Sequence, residues 1–229
     1  MKEICRKYRE SAKVQVFSHI GQIFFAVIIT GLVSSLISYH FQLTAFNKNI
    51  ELISGDPEML KIALIVSALS SIVTLPLTFC LTRFYLLTSR THIFQKIPIK
   101  AYFTPFESPS YLLKCSLLTL TLTVINCLGV FLLIFPVFLS FCMAPFIMSD
   151  NPETSVFSAL KKSFKMMRGK KMMAFRASFP FLIFYLVITM FFASIPVISF
   201  IMTAAGEALF YVTLALIYND LKNAELHTN

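Results

Sequence analysis

One carboxylate stands where an ionised group is costly. Glu207 follows 30 residues without Asp, Glu, Lys or Arg and precedes Asp220 by 13. A charged side chain inside a bilayer normally faces the bundle interior and finds a partner, or stays protonated. Ala204, Ala205, Gly206 and Ala208 surround it, and small residues let helices approach closely. Three readings stay open: an interhelical hydrogen bond, a position nearer the outer interface, or a proton- or cation-coupled site in a polar cavity with His19, His40 or Thr74.

The second group with chemical potential is cationic. Lys161, Lys162, Lys165, Arg168, Lys170 and Lys171 crowd one short segment. Asp150-Asn151-Pro152-Glu153 reads as a helix start, with a capping side chain, proline in the first turn and an acid behind. Phe157, Leu160, Phe164 and Met167 recur at one-face helical spacing, and Gly169 is a natural stop. The pattern predicts a basic amphipathic helix near 152–168. Such a helix attracts anionic lipid headgroups at about 1 kcal/mol per basic residue; the alternative is that these charges only set topology.

Enzyme chemistry finds no foothold. There is no GxSxG, HExxH or glycine-rich phosphate loop, and 6 glycines leave little for a backbone phosphate cradle. The cysteines (Cys5, Cys80, Cys115, Cys127, Cys142) form no CxxC pair, and the histidines (His19, His40, His92, His227) lie too far apart to read as metal ligands. No cofactor is expected. The net charge of +9 sits in segments flanking apolar runs, so nucleic acid is not an expected partner.

The elements that position these groups are apolar. The chain is 57% hydrophobic and 14% charged, against about 25% charged in a soluble domain. Val14 to Asn47, Ile62 to Thr82, Cys115 to Ser149 and Ala177 to Gly206 carry no charge, and each is long enough for a spanning helix of about 20 residues. The basic leader before Val14 and the length of the run behind it argue for a retained first helix rather than a cleaved signal. Arg83 to Lys114 is a connector broken by Pro98, Pro105 and Pro109. Pro76, Pro136, Pro145, Pro180 and Pro196 fall within or at the ends of apolar runs, where proline kinks a helix.

The basic residues set the number of crossings. Suppose Cys115 to Ser149 is a hairpin bending between Gly129 and Pro136, and Ala177 to Asn219 another bending near Ser194 to Pro196. Six crossings then place 18 Lys and Arg inside and 2 outside, whereas one kinked central span gives 10 and 10. Cytoplasmic enrichment of Lys and Arg selects six, with both termini cytoplasmic. The expected fold is one all-α integral membrane domain over 1–229.

A family likeness is carried by Leu81-Thr82-Arg83-Phe84-Tyr85-Leu86, by Met143-Ala144-Pro145-Phe146-Ile147-Met148-Ser149-Asp150-Asn151-Pro152, by Ala159-Leu160-Lys161-Lys162-Ser163, and by Met166 to Lys171. It continues through Phe175, Ser178-Phe179, Thr213, Ala215 and Ile217-Tyr218-Asn219-Asp220-Leu221. These resemble the signature of the bacterial integral membrane family DUF975, with Pro145, Asp150, Asn151, Pro152, Ser163 and Gly169 as signature positions. The chain departs in having Val137 after Pro136, where the family has a Pro-Gly step, and in having no tryptophan. The resemblance implies a multi-span protein of unknown function in the bacterial inner membrane.

The expected role is therefore non-enzymatic: assembling or regulating membrane components, or handling lipid at the inner leaflet. Anionic lipid headgroups are the expected partners, with a partner protein or a second copy of the chain also open. The alternative is a small transporter or permease component with Glu207 as its intramembrane polar site. An enzyme acting on lipid is the third and weakest reading.

Overall fold

The computed structural model describes residues 2–48, 57–93, 95–131, 139–191 and 195–226, all of them helix or connecting turn and coil. In chain order the helices are α1 (Lys2–Ser18), α2 (Ile20–Lys48), α3 (Pro57–Arg90), α4 (Lys100–Phe103), α5 (Pro109–Phe131), α6 (Ala144–Asp150), α7 (Val156–Met166), α8 (Lys171–Phe191) and α9 (Pro196–Leu226). Four stretches among the described residues are long and apolar enough to cross a membrane: Ile20–Ile37, Pro109–Cys127, Lys171–Phe191 and Ile198–Glu225. Their outward surfaces are apolar too. Leu36 is 67% exposed, Leu113 68%, Met190 80% and Phe191 78%, a surface that water would penalise and lipid would not.

The uncharged run from Val14 does not begin the first long helix. The chain turns at His19, so residues 14–18 belong to α1. The Ser18 hydroxyl donates to the Gln15 carbonyl at 3.0 Å, and a His19 ring nitrogen lies 3.0 Å from the same oxygen. Its other ring nitrogen lies 3.1 Å from the Gln95 carbonyl. α1 then lies against α8 and α9: Tyr8 Oη donates to Asp220 Oδ2 at 2.8 Å, Arg9 Nη1 to the Arg176 carbonyl at 3.2 Å, and Cys5 packs at the Met173 carbonyl.

α3 runs beyond Arg83 to Arg90, so the connector begins later than the charge pattern implies. Its prolines act as expected. Pro105 opens a 3₁₀ turn, Thr104–Glu107, and Pro109 is the first residue of α5, where a missing N–H costs nothing. Pro76 and Pro180 sit inside α3 and α8, Pro145 in the first turn of α6, and Pro196 at the start of α9. The expected bend at Gly129 to Pro136 lies largely outside the described residues; α5 continues to Phe131. α8 ends at Phe191 and α9 starts at Pro196; Ser194 of the second expected bend lies outside the described residues.

Asp150-Asn151-Pro152-Glu153 does not start the basic helix. Asp150 ends α6, and the Asn151 backbone N–H closes that helix on the Ile147 carbonyl at 3.1 Å. α7 starts at Val156, capped by Ser155, whose hydroxyl accepts from the Ser158 N–H at 3.3 Å. The serine wins because the Asp150 carboxylate is held by two cations from other helices. Gly169 does stop the segment: its φ of 75° is left-handed, which glycine adopts without the Cβ clash other residues incur.

Two buried clusters fill the bundle. One joins α1, α3, α5 and α6 to α7, α8 and α9 around Phe146, Met148 and Tyr218. The other joins α1, α2, α3 and α9 around Phe84, Tyr85 and Val212.

Candidate functional site

The stretches 81–86, 143–152 and 217–221 lie far apart in the chain and meet at one end of the bundle, with Asp150 at their centre. Its side chain is only 8% exposed. Arg90 grips it as a fork, Nη1 to Oδ1 at 2.6 Å and Nη2 to Oδ2 at 2.8 Å. Lys222 Nζ donates to Oδ2 at 2.5 Å and the Tyr218 hydroxyl to the same oxygen at 2.9 Å. Paired, parallel N–H···O bonds between guanidinium and carboxylate are among the strongest polar contacts in proteins. Arg90 is itself held, by Nε donating to Asn219 Oδ1 at 2.8 Å and by its guanidinium lying 5.9 Å from the Tyr218 ring centroid. The Asn219 amide in turn donates to the Ser89 hydroxyl at 3.0 Å.

Two turns back on α3, Arg83 reads the same short helix. It donates to the Ser149 carbonyl at 3.0 Å, to the Tyr111 hydroxyl at 3.3 Å and to the Ala101 carbonyl at 3.2 Å. Tyr111 passes its own proton to the Met148 carbonyl at 3.3 Å. A helix C-terminus carries unsatisfied carbonyls and partial negative charge, so two arginines on one helix satisfy the end of α6. Burial works against ionising Asp150, but hydrogen bonds from Arg90 and Lys222 outweigh it and hold its pKa down at about 2. The same Asp150 contact raises Arg90 above its ordinary value. The cluster is a saturated polar lock between α3, α6 and α9, with little left to offer a ligand.

The basic helix is less committed. The residues it buries are Ala159, Ser163 and Met167, with Val156 and Leu160 partly covered. Met167 alone stabilises the docking by about 2 kcal/mol. Ser163 fixes the register: its hydroxyl donates to the Ser140 carbonyl at 3.0 Å and accepts from the Met143 N–H at 3.2 Å. The expected apolar face of Phe157, Leu160, Phe164 and Met167 is thus split. Phe157 is 77% exposed and Phe164 51%, because small residues at 159 and 163 allow α7 to sit closer than phenylalanine would. Lys161, Lys162, Lys165, Arg168 and Lys170 are exposed and Lys171 half-buried. Lys171 Nζ lies 5.2 Å from the Phe164 ring centroid, and Phe164 packs on Phe141 at 6.1 Å.

The signature positions divide between these regions. Pro145 starts α6 and Asn151 ends it. Pro152 is exposed, and its carbonyl accepts from Lys114 at 3.3 Å. Ser163 fixes the register of the α7 docking and Gly169 ends the segment behind it.

Glu207 lies in α9, half-buried, with no hydrogen bond or ion pair among the described residues. It is within electrostatic range of Tyr85 and Tyr211, whose rings stack at 5.5 Å and 9°. The small residues around it do permit close approach: a Cβ added at Gly206 would meet Phe184 at 3.1 Å. Of the expected companions, His19 is bound at the α1–α2 junction instead, and the His40 side chain lies outside the described residues. Tyr211 also lines a cleft of about 130 Å³, together with Thr78, Thr82, Thr119, Thr123 and Asn126. Tyr211 did not stand out in the sequence, and Tyr85 did so only within the family likeness. Tyr211 follows Glu207 by one helical turn, which was the available signal.

Comparison with protein-family models, with curated proteins and with solved structures finds no match.

Proposed function

We propose that this chain is a non-catalytic, multi-pass protein of the bacterial inner membrane that engages anionic lipid headgroups at its basic, cytoplasmic end. The observation that carries this reading is α7. It is docked by one face and displays Phe157 and Phe164 among Lys161, Lys162, Lys165, Arg168 and Lys170. An interfacial helix sinks aromatic side chains into the acyl boundary and holds cations at phosphate level. Full-length protein with Lys161, Lys162 and Lys165 all changed to Gln should lose most of its co-purifying anionic lipid, measured by mass spectrometry. Unchanged anionic lipid in that variant removes the reading.

Six crossings with both termini cytoplasmic remain the topology proposed, and the resemblance to DUF975 agrees with it. Contacts at one end support the alternation: α3, α6 and α9 finish there at the Asp150 cluster, and α2, α5 and α8 begin there, near His19, Tyr111 and Arg176. The limb ending in α6 is described from Leu139 to Asp150. At 1.5 Å per residue that portion covers about 18 Å of a core about 30 Å thick. Cysteine at position 168 should resist labelling by an impermeant maleimide added to intact cells; ready labelling there overturns the orientation.

A second reading, a small transporter or permease component, draws on Glu207. A carboxylate without an ion pair, next to two tyrosines and one turn from a hydroxyl-lined cleft, is an arrangement suited to a proton or cation. Glu207→Gln keeps the shape and removes the charge, so proton-coupled activity surviving in that variant eliminates the coupling.

A further inference from the structure

We propose that the cleft between α3, α5, α6 and α9 receives the polyol headgroup of an anionic phospholipid whose phosphate is held by the cations beside α7. The inference rests on the anionic-lipid reading above and specifies which headgroup that site prefers.

The threonine hydroxyls lining the cleft have already placed their protons. Thr82 donates to the Thr78 carbonyl at 3.1 Å, Thr119 to Cys115 at 2.9 Å, Thr123 to Thr119 at 2.9 Å, and Thr78 to Thr74 at 3.4 Å. A hydroxyl has one proton and two lone pairs. What these four threonines present is therefore acceptor capacity, from two helices that face each other across the space. The Asn126 carboxamide adds a donor and an acceptor, and makes no hydrogen bond among the described residues. The Tyr211 hydroxyl, also in the lining, makes no hydrogen bond among the described residues either. A guest that fits must bring donors for the threonines and acceptors for Tyr211 and Asn126, and a neutral hydroxyl does both.

Charge narrows the guest further. Among the described residues no Lys, Arg, Asp or Glu lines the cleft, so a charged group entering it would lose hydration without a counter-charge. A serine headgroup brings an ammonium and a carboxylate, two charges to desolvate; a choline headgroup brings one charge and no donor. The neutral hydroxyls of a glycerol headgroup bring donors and no charge, and about 130 Å³ accommodates them.

The phosphate then has a place. Phe141 lines the cleft and packs on Phe164 of α7 at 6.1 Å, and Lys171 Nζ lies 5.2 Å from the Phe164 ring centroid. Cation and cleft are thus separated by two aromatic side chains packed at a tilt of 35°, and Phe164 is half exposed to whatever surrounds the helix. A phosphoglycerol unit joins its charged and neutral ends through a few bonds, matching that order of groups.

The test uses full-length protein equilibrated with phosphatidylcholine vesicles containing equal phosphatidylglycerol and phosphatidylserine, followed by mass spectrometry of the lipid retained after purification. Expected is phosphatidylglycerol over phosphatidylserine by about tenfold, the scale of one or two net hydrogen bonds. Thr119→Val with Thr123→Val should erase that preference while total anionic lipid stays the same; Thr119→Ser with Thr123→Ser should keep it. Equal retention of the two anionic lipids by the unmodified protein overturns the headgroup inference and leaves the anionic-lipid reading standing. A preference that survives the double valine change also overturns it. Retention of neither lipid above phosphatidylcholine overturns both.

Discussion

Asp150 and Glu207 are both carboxylates in one helical bundle, and their surroundings could hardly differ more. Asp150 accepts from Arg90, Lys222 and Tyr218 at distances of 2.5 to 2.9 Å. Glu207 accepts from nothing among the described residues and has two tyrosines for company. The difference follows from position. At the basic end, helix termini bring long cationic side chains together from α3 and α9. Eleven residues earlier on α9 than Tyr218, at about 1.5 Å per residue, no arginine or lysine among the described residues is at hand. One acid is therefore an architectural joint, and the other is left without a cationic partner among the described residues.

Removing the joint should have the largest effect. Asp150→Asn leaves Arg90 and Lys222 facing each other without their anion. Breaking a buried pair costs about 3–5 kcal/mol, but these cations are 36% and 39% exposed, so screening reduces the expectation to about 2–3 kcal/mol. Thermal unfolding in detergent micelles should show Tm lowered by roughly 5–10 °C; an unchanged Tm would contradict the joint.

Acid should do part of the same work. The Asp150 pKa is depressed from 3.8 to about 2, so its contribution is complete above about pH 4 and fades as pH falls toward 2. The loss is about 2 kcal/mol. Comparing Tm at pH 6 and pH 3 should show a smaller acid drop in Asp150→Asn than in the unmodified protein. Equal drops would mean that other groups carry the acid sensitivity.

Tyr218→Phe deletes one hydrogen bond to the carboxylate while keeping the ring beneath Arg90. It should cost about 1 kcal/mol in the same assay. Glu207→Gln should be nearest to neutral, within about 0.5 kcal/mol, because no ion pair is lost. A Glu207→Gln penalty matching that of Asp150→Asn would erase the contrast between the two acids.

Much of the helical layout was legible from uncharged runs and prolines, since helix length and apolar content are local properties. Gly169 was legible as a stop because left-handed backbone is a local demand. The lock was not. Asp150-Asn151-Pro152 carries the composition of a helix start, and only Arg90 and Lys222, 60 and 72 residues away, draw Asp150 into the end of the preceding helix. The docking face of α7 was not legible for a related reason. Hydrophobicity singles out Phe157 and Phe164, whereas close packing selects Ala159 and Ser163. Arg83 and Arg90, seven apart on one helix face, were the available hint that α3 holds a partner.

The seat of α1 has a consequence for biosynthesis. Tyr8 reaches Asp220 across 212 positions, and Arg9 reaches the Arg176 carbonyl across 167. Translation delivers α1 long before either partner exists. The segment must therefore wait outside its final place through the insertion of every intervening helix, and its docking can only be a late event. A chain truncated before α9 would leave α1 without the Asp220 contact, exposing the face that buries Cys5, Ala12 and Val16 to quality-control proteases that sample unfinished membrane proteins.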